Sequence, residues 1–194
     1  MHNKLLNFNK SIKPMLLNPI QILFFYFCSM IRRLCFFIVF TTSGILFSQQ
    51  KVVNAEFDHM LQKLLSHKVS EISVTEVVKD TSVIYLDARE KAEFNVSHIN
   101  NAQWIGYNDF SILRLKSVPK NSKIIVYCSV GYRSEKIAKK LEKSGFTDVY
   151  NLYGGIFEWK HQNNPVFNAK KETDSIHTYN KEWSKWLTNG IKVY

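Results

Sequence analysis

The chain has 194 residues, with 26 lysines and arginines against 16 aspartates and glutamates for a net charge of +10. The charge excess is not a nucleic-acid signature: five basic residues fall in the first 48 positions, which hold no acid, and the remainder, at net +5, carries its lysines scattered among acids. No internal repeat and no low-complexity segment is present, and the 146 residues after position 48 suffice for one domain with a sizeable core.

The first 48 residues read as a leader. Two apolar runs, Ile20 to Ile31 and Leu34 to Phe47, bracket Arg32 and Arg33. From Met30 onward the order is a charged pair, an apolar stretch Leu34 to Phe40, and the small residues Thr41, Thr42, Ser43 and Gly44, which is the order of a signal peptide cleaved near Ser48-Gln49. Met30 is then the expected start, with residues 1–29 an over-extended frame or a longer charged region. The alternative is an uncleaved membrane anchor, against which each apolar run falls short of the roughly 20 residues a spanning helix needs. Export to the periplasm or outside the cell is the expectation, with membrane contact only through an uncleaved leader.

Phe57, Met60, Leu61, Leu64 and Leu65 recur at helical spacing and predict an amphipathic helix within residues 49–68. Ile72-Ser73-Val74 reads as an edge strand. Four buried-type strands follow, at Ser82 to Leu86, Ala102 to Ile105, Lys123 to Tyr127 and Asp148 to Leu152. Helical patterns lie between them, at Glu90 to Val96, Phe110 to Lys116 and Ser134 to Lys143, the last stopped by Ser144-Gly145. Alternating strands and helices predict an α/β fold with a parallel central sheet of about five strands flanked by helices on both faces. Lys136, Lys139, Lys140 and Lys143, with Glu135 and Glu142 between them, predict a solvated helix face. A further short helix is expected at Ile156 to Lys160. In the tail, residues 165–194, Tyr179, Trp183, Trp186 and Leu187 fall on one helical face and predict a terminal helix docked on the core.

Once the leader is removed Cys128 is the sole cysteine, at the end of the run Ile124-Ile125-Val126-Tyr127 and just before a helix. In an exporting context an unpaired thiol is notable. At the carboxyl end of a strand, ahead of a helix amino terminus, backbone N–H groups and the helix dipole favour the thiolate, which is the reactive form. From Cys128 to Arg133 the loop is short, Gly131 stands where a tight turn needs positive φ, and successive N–H groups can curl into an anion-binding nest. Ser129, Val130, Gly131, Tyr132 and Arg133 are the candidate binding residues, with Arg133 a fixed positive charge near the rim and Ser134 a supporting residue. The chemistry suited to such a cradle is attack of the thiolate on sulfur, the transferred atom being held as a persulfide on Cys128 with no separate cofactor.

Four ordered blocks carry a resemblance. They are Leu86-Asp87-Ala88-Arg89-Glu90 with Glu93-Phe94; Ser97-His98-Ile99-Asn100-Asn101-Ala102; Val126 to Ser134; and Leu152-Tyr153-Gly154-Gly155-Ile156-Phe157-Glu158-Trp159. Over Val69 to Asn164 the chain resembles the rhodanese family. The resemblance implies a single-domain rhodanese fold over residues 69–164 and transfer of sulfane sulfur from a donor such as thiosulfate to a thiophilic acceptor, cyanide or a thiol, through Cys128. It makes Asp87 and Arg89 supports of loop and sheet; read alone, Arg89 is a surface ion-pair partner of Glu93. It makes His98 a turn residue. Ser97 and Asn101 stand where the family usually has glycine. The small donor and acceptor are the expected partners, and a monomer the expected state.

Two rivals remain open. A phosphatase or arsenate reductase of related fold places five residues between cysteine and arginine, whereas only Ser129, Val130, Gly131 and Tyr132 stand here. A non-catalytic rhodanese-like module, a sulfur carrier or protein-binding domain, would tolerate loss of the cysteine, which this chain keeps. The six histidines form no close ligand pair, and neither a phosphate loop nor Gly-x-Ser-x-Gly occurs. The cleft walls are expected from Trp104, Tyr107, Tyr132 and the tail.

Overall fold

A computed structural model describes residues 18–20, 23–24, 26–30, 51–169 and 171–194. The chain divides into two units, residues 1–48 and 49–194. In the first unit the described residues from 19 onward are helical. The signal-peptide reading rests on residues 31–48 and lies outside the described residues. Among the described residues no helix is long and apolar enough to cross a membrane.

The second unit starts with helix α1, Ala55–Leu64, capped where the Asn54 side chain accepts the Phe57 N–H at 3.0 Å. Its apolar stripe buries Phe57 and Leu61. Strand β1 is only Glu71–Ile72, because the chain turns at Ser73 into a short helix α2, Val74–Val77. Ser73 and Glu76 cap each other reciprocally, with the Ser73 N–H 2.8 Å from Glu76 Oε2, so the predicted strand through Val74 is a strand end followed by a helix start.

Strand β2 (Ile84–Asp87), helix α3 (Lys91–Val96), strand β3 (Gln103–Trp104), strand β4 (Lys123–Tyr127), helix α4 (Tyr132–Lys143), strand β5 (Asp148–Leu152) and helix α5 (Gly155–His161) follow. The helix expected at Phe110 to Lys116 is a single 3₁₀ turn at Ile112–Leu115, and β3 is half the predicted length. Among the described residues the central sheet has five strands in the order β1-β5-β4-β2-β3, all parallel.

Strand β4 is central and apolar on both sides. Ile125 and Tyr127 join the cluster formed with Phe57, Leu61, Phe157 and Trp159, and Ile124 and Val126 join that formed with Ile137, Ala138 and Leu141. Helices α1 and α5 therefore cover one face and α4 the other. Each of these buried strand residues contributes about 1.5–3 kcal/mol, so the strand that carries the cysteine is among the most firmly held. The exposed lysines of α4 form the expected solvated face, but Glu135 turns inward, where both carboxylate oxygens accept the Ser66 N–H at 3.1 Å.

After β2 the chain moves outward to β3, and after β4 it moves the opposite way to β5. The connections diverge above β2 and β4, which opens a crevice at their carboxyl ends. Asp87 and Cys128 stand there.

The tail is not one helix. It forms a hairpin of β6 (Val166–Asn168) and β7 (Lys171–Thr173), a parallel pair of β8 (Ser175–His177) and β9 (Ile191–Val193), and a four-residue helix α6 (Lys181–Ser184). Trp183, Trp186 and Leu187 still pack on the core, so the aromatic stripe docks as expected without a long helix beneath it.

Candidate functional site

Cys128 leaves the central strand with its side chain 1% exposed, at the floor of a cleft. Its Sγ accepts the Gly131 N–H at 3.2 Å. Gly131 has φ of +115°, the turn that folds the loop back over its own first residue and starts α4. Of the converging N–H groups expected, the Gly131 N–H is the one that meets the sulfur, and the amino terminus of a twelve-residue helix starts there.

Two contacts fix the loop from below. Asn151, wholly buried in β5, donates from Nδ2 to the Gly131 carbonyl at 3.1 Å, and its Oδ1 lies 2.7 Å from the Ser134 hydroxyl. From the other side, the first N–H groups of α5 reach the loop carbonyls: Ile156 donates to Cys128 at 2.9 Å and Phe157 to Ser129 at 3.1 Å. These bonds hold the Cys128 and Ser129 carbonyls against α5 while the Gly131 N–H meets the sulfur. Gly155 permits this approach, since a Cβ there would sit 2.4 Å from the Cys128 carbonyl oxygen and 2.7 Å from that of Ser129. The Ser134 hydroxyl donates to the Gly131 carbonyl at 3.1 Å; Asn151 and Gly155 were given no role by sequence reasoning, although an asparagine inside a buried strand and a Gly-Gly pair at a helix start are both readable signals.

Arg133 departs from expectation. It is not a free cation at the rim but forms a two-pronged pair with Glu93 of α3, Nη1 to Oε2 at 2.6 Å and Nη2 to Oε1 at 2.8 Å, and Nη2 also donates to Ser129 Oγ at 3.1 Å. Burial works against the guanidinium charge, but the Glu93 hydrogen bonds and the nearby Cys128 raise its pKa above the ordinary arginine value. Burial likewise pushes the Glu93 carboxyl up, and the bonds from Arg133 outweigh it and hold Glu93 below its usual range. The charge that was to cradle an anion is largely neutralised.

Arg89 is not on the surface. Arg89 and Asp87 are both fully buried, and the guanidinium grips the carboxylate through Nε and Nη2, the shortest contact being 2.7 Å. Nη2 also donates to the Ser97 carbonyl at 2.5 Å, while Nη1 has no partner among the described residues. Burial opposes the charge and Asp87 more than restores it. A buried pair of this kind costs about 3–5 kcal/mol to break from one side, and through the Ser97 carbonyl it fastens the end of β2 to that of α3. His98 is a turn residue as expected, its Nδ1 3.0 Å from the Phe94 carbonyl and its ring stacked on Phe94 at 4.1 Å.

The cleft holds about 510 Å³. It is lined by Cys128, Ser129, Val130, Tyr132 and Arg133 of the loop region, by Glu90, Tyr107 and Asn108, and by Tyr179 and Trp183 of the tail. Trp104 does not line it; its indole N–H donates to the Arg89 carbonyl at 2.9 Å. Among the described residues no cluster of histidine, cysteine and acidic side chains could hold a metal ion.

A match to the family described as rhodanese-like domain spans residues 73–162, from the Ser73 cap through α5. The chain carries a rhodanese-like domain. Thiosulfate sulfurtransferase GlpE of Coxiella burnetii is 29% identical over 108 residues, covering 56% of this chain and 99% of that protein. The tRNA uridine(34) hydroxylase of Hamiltonella defensa is 31% identical over 131 residues, covering 64% of this chain and 34% of the hydroxylase. The chain thus spans about a third of the length of the hydroxylases it matches. Thiosulfate sulfurtransferase from Pseudomonas aeruginosa has the same fold, with a TM-score of 0.50 and 15% identity over 70% of this chain and 27% of that one.

The tail lies beyond the match to the rhodanese-like domain yet is bonded to it. The Ser97 hydroxyl donates to the Ser175 carbonyl at 2.5 Å, and His98 and Phe167 exchange backbone hydrogen bonds at 2.9 and 2.8 Å. These contacts bring β8 and α6 to the mouth of the cleft.

Proposed function

We propose that the rhodanese-like domain is a sulfurtransferase in which Cys128 is the nucleophile. The observation that carries this reading is the Cys128 sulfur on the cleft floor, at the carboxyl end of the central strand, accepting the Gly131 N–H at 3.2 Å. In the first half-reaction the thiolate attacks the outer sulfur of a donor such as thiosulfate; a new S–S bond forms at Sγ, the donor's S–S bond breaks, and sulfite leaves with its electron pair. In the second, a thiol or cyanide takes the outer sulfur and the Cys128 thiolate is regenerated. The loop from Ser129 to Arg133 surrounds the transferred sulfur, and the Gly131 N–H already meets the nucleophile, so little reorganisation accompanies the charge shift from one sulfur to the next. Ser134 holds this loop through the Gly131 carbonyl, Asp87 and Arg89 fasten the end of β2 to that of α3, and none of the three reacts.

Intact-mass spectrometry after incubation with thiosulfate tests the reading. One added sulfur, about 32 Da, is expected on the wild-type protein, removed by cyanide and absent in Cys128→Ser. A folded protein that gains no such mass overturns sulfur transfer and leaves a binding module.

A further inference from the structure

The cleft is built for more than a compact ion. At about 510 Å³ it has the size of a site for an organic ligand, and four aromatic side chains, Tyr107, Tyr132, Tyr179 and Trp183, line it. Its electrostatics do not favour a dianion: Arg133 is taken up by Glu93, and Glu90 adds a carboxylate held by Asn108 Nδ2 at 2.8 Å.

Two of the aromatic walls come from the tail, and their placement is specified in detail. Tyr179 has φ of +68°, a conformation unusual for a tyrosine, and its ring lies 5.3 Å from the Arg133 guanidinium. Its neighbours fix this geometry. Thr178, fully buried, donates to the Val193 carbonyl at 2.8 Å; Tyr179 N–H meets His177 Nδ1 at 3.1 Å; and Asn180 caps α6 by accepting the Trp183 N–H at 3.0 Å. Backbone strain held in place by its surroundings, at the mouth of a cleft, marks a constrained functional position.

We propose that Tyr179 and Trp183 are specificity-determining residues that fit the site to sulfane donors carrying an aromatic or apolar organic group, in preference to thiosulfate. This rests on the sulfurtransferase reading above. The chemistry is balanced with an arylthiosulfonate: the Cys128 thiolate bonds to its outer sulfur, the S–S bond of the donor breaks, and the arenesulfinate departs with the electron pair. The rings of Tyr179 and Trp183 contact the aryl group while the sulfur enters the loop.

The test compares kcat/KM of the full chain for benzenethiosulfonate, methanethiosulfonate and thiosulfate, each normalised to the donor's rate with free cysteine. The first two share one charge and differ in the ring, so their ratio reads the aromatic wall alone. Benzenethiosulfonate is expected to exceed methanethiosulfonate by about tenfold, the scale of two ring contacts. Tyr179→Asn keeps a residue tolerant of the left-handed backbone and is expected to lower the ratio about threefold; Trp183→Leu is a second variant with the same expected direction. An unchanged ratio in both variants, or a wild type that prefers either smaller donor, overturns the inference while leaving sulfur transfer intact. Failure of Cys128 to load from all three donors overturns both.

Discussion

Replacing Gly155 with alanine tests whether the loop around Cys128 is held in place by α5. The new methyl group would fall 2.4 Å from the Cys128 carbonyl oxygen and 2.7 Å from that of Ser129, and both atoms belong to backbone that cannot swing aside alone. Residue 155 also has φ of +57°, which costs an alanine about 1–2 kcal/mol. For the clash to relax, the loop and α5 must separate, and the bonds from Ile156 and Phe157 to the two carbonyls weaken at about 0.5–1.5 kcal/mol each. The expected loss is about 2–5 kcal/mol, or roughly 5–20 °C in Tm for a domain of this size. Gly145→Ala supplies the control: it too has positive φ, at +90°, but nothing lies within 4 Å of the added carbon, so only the conformational cost of about 1–2 kcal/mol applies. Thermal unfolding and the rate of sulfur loading on Cys128 are measured for both. Gly155→Ala should be the less stable and the slower to load; equal values for the two variants would refute the role given to α5.

Two further outcomes are expected. Asn151→Leu removes two hydrogen bonds, the one it donates to the Gly131 carbonyl and the one beside Ser134, at about 0.5–1.5 kcal/mol each, because the carbonyl keeps the Glu135 N–H and the Ser134 hydroxyl as partners; a denaturant midpoint equal to wild type would contradict this. Glu93→Gln releases the Arg133 fork, so stability at neutral pH falls while kcat/KM for thiosulfate rises. The folded Glu93 carboxyl titrates below its unfolded value, so its contribution is present above the unfolded pKa of about 4.3 and is lost as pH falls through the lower folded one. The gap in Tm between wild type and Glu93→Gln should therefore be widest near neutrality and close under strong acid, and a gap that persists there would mean that the pair is not its source.

Local order was legible where apolar periodicity matched what the core needed. Ile124 to Tyr127 read as a buried strand because both faces of β4 are covered, and Cys128 stood out as the residue at which that run ends. The error at Val74 was avoidable, since Ser73 and Glu76 have the spacing of a reciprocal cap. The tail was harder. Tyr179, Trp183, Trp186 and Leu187 repeat at helical spacing, yet the helix is confined to Lys181–Ser184 because Tyr179 takes a left-handed backbone and the segments on either side pair as strands. Polar strands such as Lys171–Thr173 are specified by their partners and not by their own pattern.

Charges were the least legible part of the site, for a reason that bears on its chemistry. A sequence lists Arg89 and Arg133 as two cations near a cysteine, but Arg89 folds back on Asp87 two residues before it, and the pairing of β2 beside β4 brings Glu93 to Arg133. Both arginines become structural forks, and the fixed charges of the four residues cancel. What is left facing the ligand is directional: the Gly131 N–H at Sγ and the helix end behind it. Donors of that kind stabilise charge close to the sulfur and give little long-range attraction to a free anion. Affinity for a donor must then come from the walls, and two of these walls, Tyr179 and Trp183, belong to a tail that the rhodanese-like match does not reach. If the proposed sulfur transfer holds, its chemistry and its donor choice are encoded in separate parts of the chain, and substitutions in the tail will alter the donor without disturbing the loop.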